Sequence, residues 1–150
     1  MEIHWVSKKF DALMPAELYA LIRLRNEVFV VEQNCVFQDA DNKDPYCYHV
    51  MGWNAKELAA YSRIVPPKIS YSESSIGRVV TSPSARKSGI GRALMGFTID
   101  ELHRLFGNIP VRIGAQMYLK IFYESYGFVQ SGDIYLEDNI PHIEMVLPAK

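Results

Sequence analysis

The 150-residue sequence contains few cysteines, is nearly neutral, and has no long apolar run. Two cysteines provide no disulfide framework of the kind that stabilises small secreted domains. Sixteen basic and seventeen acidic residues give a net charge of -1, so no overall basic surface favours nucleic acid or an anionic membrane. No run approaches the ~20 apolar residues of a membrane span. Disulfide-rich, nucleic-acid-binding and membrane-spanning proteins are therefore disfavoured.

The remaining composition is that of an ordinary globular protein, with 49% hydrophobic and 22% charged residues. The length predicts one domain, residues 1–150, and no repeat or low-complexity tract divides it. The N-terminal residues lack a signal-peptide pattern, so we expect a cytoplasmic protein. Cys35 and Cys47 are then expected to be reduced thiols. Cys47 lies near His49, but no pair with zinc-ligand spacing is present, and we expect no metal.

The hydrophobic pattern predicts strands and helices in a mixed arrangement. Pro15 and Glu17 are typical of the first turn of a helix, which we expect to continue to about Glu32. A β-α-β unit over residues 75–115, with its helix at 89–106, requires a parallel strand pair. Hairpins elsewhere require antiparallel pairs, so the sheet is mixed. The other predicted strands are residues 2–6, 48–53, 57–65, 128–135 and 142–147, and a further helix is predicted at 117–126.

The most informative segment leads from a strand through a glycine-containing turn directly into a helix. Gly89 and Gly91 allow a ligand to approach the backbone closely. The first N–H groups of a helix have no intrahelical partner and lie at its positive end, which favours phosphate. Arg86, Lys87 and Arg92 place three of the sixteen basic residues beside this helix start. The sequence therefore predicts a phosphate-binding turn, the alternative being a glycine turn with solvated basic residues.

Two familiar phosphate motifs do not fit this turn. The Walker A pattern G-x4-G-K-[ST] is absent, and the dinucleotide fingerprint G-x-G-x-x-G fails because Leu94 occupies its third glycine position. A nucleotide-phosphate module is therefore disfavoured. Thermal-shift measurements with ATP test this alternative.

Four segments together resemble the GNAT N-acetyltransferases. Residues 86–91 fit R-x-x-G-x-G, which resembles the acetyl-CoA-binding core of that family. Residues 122–128, with a tyrosine four positions before Gly-Phe, resemble its second hallmark. Residues 24–35 are similar to the N-terminal signature of the ElaA-like branch, as are two shorter segments near residues 115 and 141. The resemblance spans residues 15–147.

This resemblance implies a mixed α/β (α+β) fold, with a mostly antiparallel sheet, a central parallel pair of splayed strands, and flanking helices. It also implies acetyl-CoA as co-substrate and no metal. The strand before the turn would pair with the pantetheine arm, and the turn would hold the pyrophosphate. The cofactor-binding residues implied are Val79, Val80, Thr81, Arg86, Lys87, Ser88, Gly89, Ile90, Gly91, Arg92 and Gln116, the last at a position where many members carry asparagine.

Tyr123 matches the tyrosine that the family uses as general acid. A phenol with an ordinary pKa of about 10 is protonated at neutral pH and can protonate a departing thiolate. The neighbouring residues Phe122, Tyr126 and Phe128 leave a second interpretation open, in which Tyr123 is a core aromatic. The resemblance favours the catalytic interpretation.

The general base is harder to assign, because the strand at residues 76–82 contains no carboxylate. Either the base lies elsewhere or ordered water carries the proton. Arg25 and Glu32 lie on the apolar stripe of the first helix when 3.6 residues per turn are assumed. Buried charges are costly unless they are paired. We therefore expect both to line the acceptor side of the cleft, with Glu32 as base or acceptor contact. The alternative is a structural ion pair, or charges at the helix end whose side chains extend to water.

Two further sets of polar residues are candidates for contact with the acceptor. His142 and Glu144 share one face of the last strand, and His142 is a candidate substrate contact unless both are exposed edge residues. Asp39, Asp41 and Asp44 form an acidic cluster that could attract a cationic amine or form a solvated turn.

The function that the resemblance implies is transfer of an acetyl group from acetyl-CoA to a primary amine on a small molecule or peptide. A CoA-binding sensor or interaction module on the same fold is the alternative. Tyr123 favours the enzyme, and the missing strand carboxylate favours the alternative. The resemblance also implies a possible homodimer. No pattern in the sequence identifies the acceptor.

Overall fold

The computed structural model describes residues 2–150, and in them seven strands and three α-helices follow the predicted order. None of the described helices has the length and apolar character that crossing a membrane requires. The strands are β1 (His4–Lys9), β2 (Tyr48–Asn54), β3 (Glu57–Val65), β4 (Ser75–Thr81), β5 (Val111–Gln116), β6 (Val129–Glu137) and β7 (Ile140–Leu147). The helices are α1 (Pro15–Arg25), α2 (Ile90–Phe106) and α3 (Lys120–Glu124).

The first helix begins at Pro15, as predicted, but its last turns are wider than those of an α-helix. A π-helical segment, Asn26–Glu32, continues α1. Gln33 N–H and Cys35 N–H donate to carbonyl groups five residues back, at 3.0 and 3.1 Å. The wider turns shift the direction of the side chains that follow. As a result Glu32 is exposed, although the 3.6-residue stripe placed it inward.

The strands form two antiparallel sheets that are joined at one point. The first has the order β1-β2-β3-β4 and the second β5-β7-β6. Strands β4 and β5 run parallel and meet only where Ser74 bridges Val111, with Arg112 N–H donating to the Ser74 carbonyl at 2.9 Å. Beyond this bridge the two strands are not paired. The mixed fold with a splayed central pair is therefore confirmed, and its parallel pairing is limited to this single bridge.

Helices cover the two faces of the first sheet. Leu21, Leu24 and Val28 pack on the face formed by residues such as Met51 and Tyr61. The opposite face packs against α2 and extends into the second sheet as one cluster. Because neighbouring residues of a strand point to opposite faces, the nearly continuous apolar runs of β2 and β3 supply both cores.

Candidate active site

A cavity of about 1040 Å³ opens where β4 and β5 separate. Each of these strands is an edge of its own sheet, so unpaired backbone groups of both strands border the cavity. Exposed strand edges attract other chains and are usually blocked in native proteins. An extended ligand that bonds to such an edge would satisfy these groups, in the manner of an added strand.

A β-bulge in β4 directs additional backbone toward this cavity. Tyr61 pairs with Val80 and Arg63 with Gly77, so Arg78 and Val79 together stand opposite one residue of β3. Arg78 has a left-handed backbone, with φ of 51°. A bulge leaves its extra residue out of the ladder. The backbone N–H of this extra residue is therefore a candidate hydrogen-bond donor to a ligand carbonyl.

The N-terminus of α2 lies at another part of the cavity wall. Gly89, with φ of 81°, is the N-cap residue and has the left-handed conformation that glycine adopts without strain. Ala93 donates the first intrahelical bond to the Gly89 carbonyl at 3.2 Å, so the preceding N–H groups lack intrahelical acceptors. Gly91 lines the cavity, and a Cβ built on it would meet no atom within 4 Å. This opening exposes the positive end of a 17-residue helix.

Two of the three basic residues of this turn have partners in the protein. Arg86 forms two hydrogen bonds with the Glu32 carboxylate, at 2.6 and 2.7 Å, and both side chains are partly exposed. Arg92 lies over the Tyr126 ring, 5.1 Å from its centroid, and donates to Ser125 Oγ at 3.3 Å. The basic residues predicted at the start of α2 do lie there, and one of them, Arg86, is paired with the Glu32 carboxylate.

Glu32 lines the cavity, but its partner weakens its candidacy as a general base. Hydrogen bonding from Arg86 holds the pKa of the Glu32 carboxyl below its ordinary value. A base that works near neutral pH needs a pKa raised toward that pH. The geometry thus places Glu32 beside Arg86 of the glycine turn and not in the role of a proton acceptor.

Tyr123 lies in the cavity wall and is 6% exposed. Its ring makes edge contacts with Phe122 and Phe128, with centroids 5.3 and 5.7 Å away. Burial raises the pKa of its phenol above the ordinary value. The hydroxyl therefore stays protonated through neutral pH. The sequence left Tyr123 as either a core aromatic or a general acid. The position is compatible with both, since the ring packs in the core and the residue also borders the cavity.

The second sheet contributes a row of polar side chains. Gln116 on β5 and Tyr135 on β6 are both directly opposite His142 on β7, so all three share one face of the sheet. All three line the cavity. The Gln116 amide contacts that of Gln33, at 3.4 to 3.5 Å, and so joins β5 to the segment after α1.

The alternative interpretation, in which His142 and Glu144 are exposed edge residues, is wrong. Strand β7 lies between β5 and β6, so it is the central strand of its sheet. His142 is 6% exposed, and its ring stacks on Tyr135 with centroids 5.7 Å apart. Glu144 pairs with Arg112 on β5. The sequence places the two on one face, but strand order within the sheet depends on contacts between distant segments.

The predicted acidic cluster is part of a closed ring of alternating charges, the Asp–Arg ring. The loop after α1 supplies the three carboxylates, and α1, β3 and β4 supply one arginine each. Five of the six contacts are 2.8 or 2.9 Å long, and the sixth is 3.4 Å. In ring order the members are Asp39, Arg25, Asp44, Arg63, Asp41 and Arg78.

The ring corrects two expectations from the sequence. Arg25 does not line the cavity: its side chain is 0% exposed, and its donors are taken by Asp39 and Asp44. The structural ion pair is therefore the correct alternative for Arg25. The carboxylates are not a solvated turn either, since Asp39 and Asp44 are each 6% exposed. Only Asp41, Arg63 and Arg78 of the ring border the cavity.

The Asp–Arg ring predicts a loss of stability in acid. Burial raises the pKa of Asp41 and of Asp44, but bonds from Arg63 and Arg25 outweigh it and hold both pKa values below the ordinary range. The unfolded chain, with an aspartate pKa of about 3.9, therefore binds protons more readily. The contribution is complete above that value and is lost as the pH falls toward the lower folded pKa values. We expect the Tm, followed by circular dichroism, to fall steeply below about pH 4.

Replacing Asp44 by Asn provides the check on this prediction, because it removes a titrating group while keeping one acceptor oxygen. The acid-dependent part of the Tm should become smaller in this variant. The same change at Asp133, which is exposed on β6, should leave the profile unaltered. Equal pH profiles in both variants would contradict the assignment to the ring.

Both cysteines are buried free thiols. The Cys47 thiol donates to the Lys43 carbonyl at 3.1 Å, and burial raises its pKa to about 11. Both ring nitrogens of the neighbouring His49 are occupied, by the Tyr61 hydroxyl at 2.7 Å and the Asp44 carbonyl at 3.0 Å. Cys35 lines the cavity and contacts the Asp138 carbonyl at 3.5 Å. Each group thus has a role in packing or hydrogen bonding.

Several cavity residues were missed in the sequence. Tyr135 and Glu137 share one face of β6, because they are two positions apart. The predicted strand ends at residue 135, so this relation was not recognised. Arg63 stands within an apolar strand and needed a partner, which was also a usable signal. Tyr71 lies in the loop before β4, where no periodicity indicates its direction.

Taken together, the splayed strands, the glycine turn at the start of α2 and the buried tyrosine define the architecture of an acyl-CoA N-acyltransferase. Residues 21–149 match the family model described as the acetyltransferase (GNAT) domain. The chain belongs to this family, and the resemblance drawn from the sequence is confirmed.

Its relatives identify the branch. The chain is 41% identical to Protein ElaA of Escherichia coli K12 over 95% of both chains. The crystal structure of E. coli ElaA matches with a TM-score of 0.91, covering 97% of this chain and 99% of that one. An acyl-CoA N-acyltransferase from Pseudomonas aeruginosa is 42% identical, with a TM-score of 0.93 and coverage of 97% and 99%. The chain is therefore ElaA-like.

Proposed function

We propose that the protein transfers an acetyl group from acetyl-CoA to a primary amine by direct attack of the amine on the thioester. The observation that carries the proposal is one cavity that combines three features. It is bordered by the unpaired edge of β4, by the open N-terminus of α2 at Gly91, and by the buried phenol of Tyr123. A thioester attached to a pyrophosphate-bearing arm needs each of them.

The residues present fit coenzyme A chemically. The free N–H groups at the start of α2 suit a pyrophosphate, and Arg86, Lys87 and Arg92 add positive charge beside it. The edge of β4 at Val79, Val80 and Thr81 suits the amide groups of a pantetheine arm. Ser88, Gly89 and Ile90 complete the turn, and Gln116 lies across the cavity from β4.

The chemistry follows from these groups. The amine nitrogen forms a bond to the thioester carbon, and the carbonyl oxygen becomes an oxyanion, which an N–H of the β4 bulge can stabilise. The C–S bond then breaks, its electron pair stays on sulfur, and Tyr123 supplies the proton of the free thiol. The amine must lose one proton before attack and a second as the amide forms.

The test is a turnover assay with purified protein, acetyl-CoA and a panel of primary amines. The panel contains alkyl diamines, amino acids, an aminoglycoside, a peptide N-terminus and a lysine peptide. Thiol release is followed, and mass spectrometry identifies the acetylated product. Propionyl-CoA and succinyl-CoA in parallel test the preference for acetyl. Tight CoA binding without thiol release from any amine would support the CoA-binding module instead, and absence of binding would overturn the assignment.

Replacing Gly91 by Val is expected to weaken acetyl-CoA binding without unfolding the protein. A Cβ at this position meets no protein atom within 4 Å, but it projects at the start of α2 where the cavity is open. We expect the Kd from calorimetry to rise at least about tenfold, which corresponds to about 1.4 kcal/mol. Gly96→Val is the matched control, because Gly96 lies in the same helix, also meets no atom, and is not part of the cavity. Equal Kd values in the two variants would remove the turn from the binding site.

A further inference from the structure

The hydrogen bonding of His142 fixes which of its ring nitrogens carries the proton. Nδ1 lies 2.7 Å from the Ile140 carbonyl oxygen, which can only accept a hydrogen bond. Nδ1 therefore carries a hydrogen in the neutral ring, and the lone pair is on Nε2. The ring is 6% exposed and stacks on Tyr135, so the surrounding protein holds this orientation.

The Nε2 lone pair points toward another hydrogen-bond acceptor. Nε2 lies 3.4 Å from Oε2 of Glu137, whose side chain is 60% exposed. A neutral imidazole and a carboxylate at this distance are two acceptors without a proton between them. A donor between them satisfies both groups: a proton on the ring, a water molecule, or a cation from outside that donates to both. A protonated primary amine is such a cation.

The other charged and titratable groups around His142 are accounted for. On β6, burial raises the pKa of Tyr135 to about 12, and burial also raises the pKa of Tyr71 in the facing loop. Both phenols therefore remain neutral at physiological pH. Glu144, on the same face of β7, is paired with Arg112 of β5. From the segment after α1, the Cys35 thiol contacts the Asp138 carbonyl.

We propose that His142 is the general base of the acyl transfer and that Glu137 binds the ammonium group of the acceptor beside it. This inference rests on the proposed function. The ammonium donates to both groups, and Nε2 takes one proton from it, which leaves a neutral amine and an imidazolium paired with Glu137. The amine attacks the thioester, the C–S bond breaks, and the thiolate takes a proton from Tyr123. The nitrogen gives its second proton to the resulting phenolate, and the imidazolium returns its proton to solvent.

Two variants separate a base from a structural histidine. In His142→Asn, the side-chain amide can donate to the Ile140 carbonyl in place of Nδ1 but provides no basic nitrogen. In His142→Gln, an amide stands near the position of Nε2 without basicity. We expect both to lower kcat/KM for the best amine of the panel by about 10² or more at pH 7, with the Kd for CoA unchanged. His4→Asn, on the exposed face of β1, is the matched control and should have wild-type kinetics.

The pH profile supplies a readout that a structural role would not change. In the wild type, kcat/KM should level off as the pH rises, whereas in His142→Asn it should keep rising until the amine itself is deprotonated. Glu137→Gln should raise the KM for the amine at least about fivefold and change kcat less. If His142→Asn restores wild-type turnover while His142→Ala does not, the histidine is structural and the inference fails. If the wild type acetylates no amine, the proposed function fails first.

Discussion

Tyr123→Phe is expected to lower kcat by about 10² to 10³, within the range that a general acid contributes. The phenyl ring can keep the edge contacts with Phe122 and Phe128, so the change removes little except the hydroxyl. Without it, the CoA thiolate must leave unprotonated or take a proton from water. Because the β4 edge and the start of α2 are untouched, the Kd for acetyl-CoA should stay within about twofold of wild type.

Thiol release under saturating substrates measures kcat, and calorimetry measures the Kd. Tyr19→Phe is the matched control, since Tyr19 is 75% exposed on α1 and is not part of the cavity. It should have wild-type kinetics. A thioester with a better leaving group provides a second criterion, because the defect of Tyr123→Phe should shrink when the leaving thiol is more acidic than that of CoA. Unchanged kcat in Tyr123→Phe would remove this hydroxyl from the mechanism.

The elements of the fold could be predicted because they depend on local signals. Pro15 starts α1, Gly89 and Gly107 delimit α2, and the apolar runs on either side of residues 54–56 form a hairpin. The glycine turn could be predicted for the same reason, since its features lie within seven consecutive residues. Local periodicity also placed His142 and Glu144 on one face.

The partners of the charged residues could not be predicted. Asp39 and Arg78 are 39 positions apart, and Arg86 and Glu32 are 54 apart. Such contacts depend on how loops and strands come together, which periodicity does not encode. The π-helical end of the first helix had no recognisable signal either, and it changed the direction of Glu32. The position of Arg25 within an apolar stripe correctly indicated that its charge needs a partner. The partners, Asp39 and Asp44, lie in a loop that the periodicity of the helix does not locate.

The Asp–Arg ring gives one side of the cavity a fixed wall. It ties the loop after α1 to α1 itself and to strands β3 and β4. The bulge that places Arg78 in this ring also turns β4 backbone toward the cavity. The same six residues therefore hold a loop, a helix and the edge strand that the co-substrate would contact. For the three members that do not border the cavity, Arg25, Asp39 and Asp44, an effect of substitution on activity would follow through the position of these elements.

Arg25→Ala is expected to lower the free energy of unfolding by about 3 to 5 kcal/mol, the usual result of removing one partner from a buried ion pair. Asp39 and Asp44 would lose a guanidinium that is 0% exposed, and their carboxylates would stay buried with fewer donors. At about 2–4 °C per kcal/mol for a chain of this size, the Tm should fall by roughly 6 to 20 °C. Urea unfolding gives the free energy, and calorimetric scanning gives the Tm.

Arg23→Ala is the matched control, two positions earlier in the same helix. Arg23 pairs with Glu27 at 3.4 Å, and its side chain is 68% exposed, so its loss should cost less than about 0.5 kcal/mol. The kinetics of Arg25→Ala provide the second readout. At a temperature where this variant remains folded, the KM of Arg25→Ala for the amine should be close to wild type, because Arg25 does not border the cavity. A raised KM with an unchanged Tm would instead place Arg25 in contact with the acceptor. The expected pattern is the reverse, a large loss of stability with substrate affinity retained.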